Sequence, residues 1–167
     1  VTTISCFKTK DLFVCGFESG NLRLFDLPTL KIALEMTFEE RKVEQIEVSN
    51  SDEQILVVYE EKVNLLNQDY EIIKSFDLSS KSLPKVGFNQ KSNLFFLVHN
   101  LSTLEIYSCD TLQQKFQFLS QEIIQNAIFS NNKEDLFVIT SKNRLKKYKM
   151  IPSGIKLYRE YVNLHSN

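Results

Sequence analysis

The stretch Leu22-Arg23-Leu24-Phe25-Asp26 carries the reading of the whole chain, because its last three residues come back. An apolar pair followed by a polar residue stands at Leu24-Phe25-Asp26, Leu65-Leu66-Asn67 and Ile106-Tyr107-Ser108, with Lys147-Tyr148-Lys149 as a weaker fourth copy. The large residue of each copy is Phe25, Leu66, Tyr107 and Tyr148, and each successive interval is 41 residues. Self-similarity at one fixed spacing means that a single supersecondary unit is used repeatedly, each copy burying its apolar surface against the next.

Working outward from the motif, each copy breaks into four short runs. The first run alternates apolar and polar residues: Val1, Ile4 and Cys6, then Val43, Ile46 and Val48, then Leu83, Val86 and Phe88, then Ile124, Ala127 and Phe129. Alternation of this kind marks a strand with one face buried. The second run is continuously apolar, at 12–15, 55–59, 94–98 and 136–139, which suits strands covered on both faces. Polar reversals rich in Asn, Asp and Ser separate the first two runs at 8–11, 49–53, 89–93 and 130–135. The motif closes the third run, and in the first copy Glu18-Ser19-Gly20-Asn21 precedes it, with Gly20 free to take a positive φ. The fourth runs, near 31–36, 71–76, 113–118 and 155–161, are polar or amphipathic, as outer edge strands should be. Four strands per repeat of roughly 40 to 45 residues describe a propeller blade. The expected fold is therefore all-β, a β-propeller segment of four blades, each a four-stranded antiparallel sheet, forming part of a larger ring. The blades are placed at 1–42, 43–82, 83–122 and 123–162, followed by a polar tail at 163–167.

Bulk properties exclude several classes. With 167 residues, 43% hydrophobic and 25% charged, the chain can build a core, and a formal charge of −1 provides no global field for nucleic acid or an anionic membrane. No apolar run reaches the ~18 residues that span a bilayer, so no membrane contact is expected. Three cysteines, Cys6, Cys15 and Cys109, do not form a disulfide framework, and a cytoplasmic location is the default. Cys6 and Cys15 read as small buried hydrophobes. The first residue is Val1 and neither end resembles a capping repeat, which reads as a segment of a longer chain whose remaining blades come from the same or another polypeptide.

Gly16, Ser19-Gly20 and Leu22 to Asp26 resemble the closing part of a WD repeat, with Phe25-Asp26 in place of its Trp-Asp pair. That resemblance implies a β-propeller presenting binding surfaces to several protein partners. The chain has no Trp. Neither His99 nor His165 lies where the family places its glycine-histidine dipeptide, and Ser19, Glu60, Leu101 and Lys142 occupy its turn-aspartate positions. The family's His, Ser/Thr, Asp, Trp hydrogen-bond network is thus not expected, which leaves the blades to be held mainly by apolar packing. The stretch Gly16-Phe17-Glu18-Ser19-Gly20-Asn21-Leu22-Arg23 also looks like a blade of the large propeller proteins of cilia and centrioles, which lie on microtubules. Ribosome-assembly scaffolds and vesicle-coat subunits carry comparable blades.

No catalytic or cofactor motif is visible. His99 has no Cys or Asp at motif spacing, the cysteines do not pair at metal-ligand spacing, and the four glycines are too scattered for a phosphate loop. No enzyme activity, metal or cofactor is expected. Charge distribution is the informative feature. From Glu35 to Glu61 nine acids face two bases, whereas from Lys142 to Glu160 seven bases face one acid. Lys142, Arg144, Lys146, Lys147 and Lys149 form the candidate basic patch for an anionic partner, namely an acidic protein surface, microtubules or RNA. Phe25, Leu66, Tyr107 and Tyr148 are expected to be structural. The expected role is a non-enzymatic interaction scaffold in a large assembly, in a ciliary or centriolar microtubule structure. The alternative is an RNA-associated scaffold of ribosome biogenesis in the nucleolus.

Overall fold

The structure is a computed structural model that describes residues 1–78, 82–131, 135–151 and 154–162. The expected polar tail at 163–167, with His165, lies outside the described residues. Among the described residues, sixteen strands form four antiparallel sheets, each running in chain order. Sheet 1 contains β1 (Thr3–Cys6), β2 (Leu12–Gly16), β3 (Asn21–Asp26) and β4 (Ile32–Thr37), and sheet 2 contains β5 (Gln45–Val48), β6 (Ile55–Val58), β7 (Lys62–Leu66) and β8 (Ile72–Asp77). Sheet 3 contains β9 (Lys85–Phe88), β10 (Leu94–His99), β11 (Thr103–Ser108) and β12 (Gln114–Leu119). Sheet 4 contains β13 (Ile124–Phe129), β14 (Asp135–Thr140), β15 (Leu145–Ile151) and β16 (Gly154–Tyr161). No described residue is helical. The chain divides into two compact units, Val1–Pro84 and Lys85–Asn167, each holding two sheets.

The repeated motif has a structural reason in each of its positions. In all four sheets the register between the third and fourth strands slips at the same place, between Leu24 and Phe25, Leu65 and Leu66, Ile106 and Tyr107, and Lys147 and Tyr148. A bulge there adds twist to the outer strand, so the 41-residue period records a bend as well as a side chain. The polar residue that follows caps the next turn. Asp26 accepts from the Thr29 amide at 2.9 Å, Asn67 from the Asp69 and Glu71 amides at 3.0 and 2.8 Å, and Ser108 from the Thr111 amide at 3.3 Å. These turns hold Leu30, Tyr70 and Leu112 at φ of 55°, 64° and 56°, so side-chain caps stand in where glycine is usual. Gly20 is different: at φ 86° its absent Cβ would lie 1.8 Å from the Glu39 carbonyl oxygen.

Within each unit one sheet stacks on the next. We call the face a sheet turns toward the following sheet its trailing face, and the opposite one its leading face. In the first unit, Val14, Leu22 and Leu24 on the trailing face of sheet 1 pack against Ile46, Val48, Ile55, Val57 and Leu66 on the leading face of sheet 2. In the second unit, Phe96, Val98, Leu104 and Ile106 of sheet 3 pack against Ile124, Ala127, Phe129, Leu136, Val138 and Tyr148 of sheet 4. These aliphatic and aromatic layers each remove surface from water at roughly 25 cal/mol per Å².

One expectation is corrected. Cys6 is exposed rather than buried, while Cys15 is buried. Its neighbour Ile4 is 59% exposed, because the apolar side of β1 lies on the leading face of sheet 1, which nothing in the unit covers. Buried polar contacts accompany the apolar layers between the sheets. Asp52, 2% exposed, accepts from the Lys8 and Thr9 amides at 2.7 and 2.6 Å and from the Thr9 hydroxyl at 2.7 Å, linking sheet 2 to the β1–β2 turn. Burial alone would raise this carboxyl, but those donors outweigh it and hold it below its ordinary value.

Candidate interaction surface

The five basic residues of the sequence patch divide between two faces, because side chains alternate along a strand. Lys142 and Arg144 precede β15 and Lys146 follows on it, and all three gather around one carboxylate, Glu122, in the β12–β13 connection. Arg144 lies 3.2 Å, Lys146 3.4 Å and Lys142 3.9 Å from it, and the Thr140 hydroxyl donates to it at 2.6 Å. The Thr140 bond, supported by Lys146 and Arg144 against the effect of burial, lowers the Glu122 carboxyl below its usual range. Arg144 also meets Glu160 at 3.1 Å. This half of the patch is largely neutralised within the unit.

A comparable connection serves the first unit. Glu39, between sheets 1 and 2, pairs with Lys62 at the start of β7 at 2.6 Å. In each unit, then, an acid in the inter-sheet connection is held by a base from the third strand of the second sheet. Glu39, Arg41, Glu61, Lys62, Asp77 and Leu78 line a cleft of about 390 Å³ on the first unit. The acid-rich segment of the sequence is thereby partly spent on ion pairs: Arg41 meets Glu61 at 3.6 Å and Lys42 meets Glu44 at 3.0 Å.

Lys147 and Lys149 belong to the other half. They lie on the trailing face of sheet 4 together with their register partners Arg159 and Lys156 on β16. Lys147 pairs with the buried Asp135 at 2.8 Å, which raises its pKa, with the hydrogen bond as the leading cause. Lys149 lies 4.2 Å from the centroid of the Tyr158 ring, Lys147 5.3 Å from the same ring, and Arg159 4.8 Å from that of Tyr161. Among the described residues no carboxylate pairs with Lys149. Tyr158 is 60% exposed, so the surface presents aromatic rings beneath cations.

Register equivalence with sheet 3 shows what this face departs from. Phe96 pairs with Ile106 and Ile106 with Phe116, whereas Phe137 pairs with Lys147 and Lys147 with Arg159. An aliphatic and an aromatic residue packed into a core in one sheet are replaced by Lys147 and Arg159 in the other. Sequence reasoning missed Glu122, Asp135, Tyr158 and Arg159 as parts of this arrangement. The sequence does set Lys147 apart, since the other repeats carry Leu24, Leu65 and Ile106 at the matching position.

The repeat positions differ in burial. Leu66, Tyr107 and Tyr148 are buried, whereas Phe25 is only half-buried and stacks on Phe13 with centroids 5.0 Å apart. Tyr107 donates to Glu105 at 2.7 Å, and the same carboxylate lies 3.5 Å from His99. His99 is thus an element of a strand-pair polar contact. Among the described residues no three His, Cys, Asp or Glu side chains gather closely enough to hold a metal ion.

No protein-family model matches the sequence, and no curated protein matches it. Among solved structures, a chain in the crystal structure of a mitotic checkpoint complex aligns over 97% of this chain and 54% of its own length, with a TM-score of 0.80 at 12% identity. This chain therefore spans about half the length of that neighbour. At such low identity the likeness speaks to architecture alone, and the architecture is a WD-like β-propeller fold of four four-stranded blades.

Proposed function

We propose that this chain is a non-enzymatic protein–protein interaction scaffold, and that its partner contact is the trailing face of sheet 4. The observation that carries the reading is the basic and aromatic character of that face, where the equivalent face of sheet 3 is an apolar core. Lys147, Lys149, Lys156 and Arg159 against Asp135 leave a cationic surface, and Tyr158 and Tyr161 give it rings that can lie flat on a partner. Such a surface fits an acidic protein segment, steered by charge and anchored by aromatic contact. Of the sequence patch, Lys147 and Lys149 belong to this contact, while Lys142, Arg144 and Lys146 serve the Glu122 cluster.

The test is capture by the purified chain across a salt series, beside a Lys149→Glu, Lys156→Glu, Arg159→Glu variant that leaves the Lys147–Asp135 pair intact. Loss of an acidic protein partner in the variant, with binding in the parent that fades as salt rises, is the expected result. Retention of the same partners by the variant at every ionic strength would overturn it. Recovery of RNA in place of protein would support the ribosome-assembly alternative.

For cellular setting, the resemblance of residues 16–23 supports a ciliary or centriolar microtubule structure, where this scaffold would be one member of a larger assembly. A tagged full-length protein found at basal bodies or axonemes would agree. Nucleolar signal would favour the alternative, and a diffuse cytoplasmic distribution would remove both.

A further inference from the structure

The end of sheet 3 that carries the β10–β11 turn is apolar where the matching end of the first unit is polar. Leu101 in that turn, Leu119 closing β12 and Ile123 in the connection to β13 are 47%, 70% and 46% exposed. Backbone bonds bring these segments together. The Ile124 amide donates to the Leu101 carbonyl at 2.7 Å and the Ser120 amide to the Ser102 carbonyl at 2.8 Å, so both ends of the connection lie against the turn. The first unit is bonded in the same way, the Val43 amide donating to the Phe17 carbonyl at 3.1 Å. That equivalence puts Lys42 where Ile123 stands. Register puts Thr37 and Asp77 where Leu119 stands, and the repeat interval puts Ser19 and Glu60 where Leu101 stands.

The turn itself is unfavourable for leucine. Sheets 1 and 4 give its positive φ to Gly20 and Asn143, which tolerate it, whereas sheet 3 gives it to Asn100 at 50° and Leu101 at 63°. Leu30 and Leu112 share this conformation in turns capped by Asp26 and Ser108, but at Leu101 the neighbouring side-chain bond is a long one, from the Ser102 hydroxyl to the Asn100 carbonyl at 3.4 Å. Strain of this kind gathers where a protein binds something. A loosely held cation borders the patch. The Ser141 amide donates to the Ile123 carbonyl at 2.9 Å, which sets Lys142 close by, 65% exposed and 3.9 Å from Glu122. Three bases, Lys142, Arg144 and Lys146, meet two acids there, Glu122 and Glu160, so the border carries net positive charge.

We propose that Leu101, Leu119 and Ile123, with Lys142 at their border, form a second docking surface, which takes a partner protein segment presenting one large apolar side chain beside a carboxylate. The apolar trio supplies the anchor, and Lys142 supplies the charge that fixes the partner's direction. This surface shares no residue with the contact on the trailing face of sheet 4. It lies at a turn, a strand end and a connection, whereas the sheets of this protein stack through their faces.

The test selects a phage-displayed library of random peptides on full-length protein carrying Lys149→Glu, Lys156→Glu and Arg159→Glu, which removes the sheet 4 contact and keeps the two surfaces apart. Enriched peptides, measured by fluorescence anisotropy, should carry Leu, Ile or Phe next to Asp or Glu. Adding Leu119→Asp should weaken them about tenfold or more, and adding Lys142→Gln roughly threefold. Leu101→Asn separates binding from folding: by relieving the turn it should raise the Tm, yet weaken the same peptides about tenfold. Should that variant fail to fold, Leu119→Asp still decides, because Leu119 faces water. Unweakened binding by folded Leu119→Asp or Leu101→Asn protein would overturn the proposal. So would a selection that enriches nothing, which is also the result if another segment of the protein already covers the surface.

Discussion

The leading face of sheet 1 and the trailing face of sheet 4 are both uncovered by their own units, yet one has stayed apolar and the other has turned basic. On sheet 1, Ile4, Cys6, Phe13 and Phe25 remain in a pattern that sheet 2 buries, with charge confined to the Arg23–Glu35 pair. On sheet 4, Lys147 and Arg159 replace residues that sheet 3 buries, and a buried carboxylate, Asp135, is provided to hold the first of them. Solvent exposure alone would have acted alike on both faces. The difference sets an apolar face that water touches against a basic one, and it is the basic face for which an acidic protein partner is proposed.

Four experiments bear on that contrast. The largest effect belongs to Leu24→Lys, which transplants the charge of β15 to a position that is 2% exposed, in a sheet where Leu12 stands at the register position of Asp135. Unfolding free energy should drop by roughly 3 to 5 kcal/mol, or the chain should fail to fold, as read by denaturant titration. Next comes the pair Leu66→Ala and Phe25→Ala, one repeat position in covered and uncovered versions. The first should cost about 2 to 5 kcal/mol, and the second, being half-buried, less despite the larger side chain. Equal losses would show that the face carrying Phe25 is already covered in solution.

A smaller effect is expected from Asp52→Ala, which strands the Lys8 and Thr9 amides and should cost about 1 to 3 kcal/mol. Asp52 also predicts a pH dependence. Its folded pKa is depressed, so its contribution is fully present above the unfolded value of about 3.9 and is lost as pH falls through the lower, folded value. The parent should therefore lose stability in that acid window more steeply than Asp52→Asn. Glu122, also depressed, acts in the same direction in the second unit. The smallest effect is that of Ile4→Asp, which should change the stability of the isolated chain by no more than about 0.5 kcal/mol because the side chain already faces water. A large loss would mean that the leading face of sheet 1 is occupied even without a partner.

Strand order, the number of sheets and the repeat interval were legible in the sequence, because alternation and spacing are local properties that pleating translates directly into faces and turns. The motif's polar residue was legible as polar, but its work as a turn cap was not, since Asp26, Asn67 and Ser108 act on amides two to four residues later whose orientation depends on the turn. The basic patch was only half legible. Five bases within eight residues look like one surface in the sequence, yet a strand sends neighbouring side chains to opposite sides, and Glu122 is reached across another strand pair.

An iterated β unit of constant length and its apolar positions follow from local pattern, because backbone pairing and the hydrophobic effect act on stretches a few residues long. The tertiary structure alone decided which apolar positions are covered and which charges are matched. Those outcomes depend on residues that are distant in the chain: the same kind of side chain is core at Ile46 and surface at Ile4, and Lys146 and Lys147, adjacent in the chain, answer to different carboxylates.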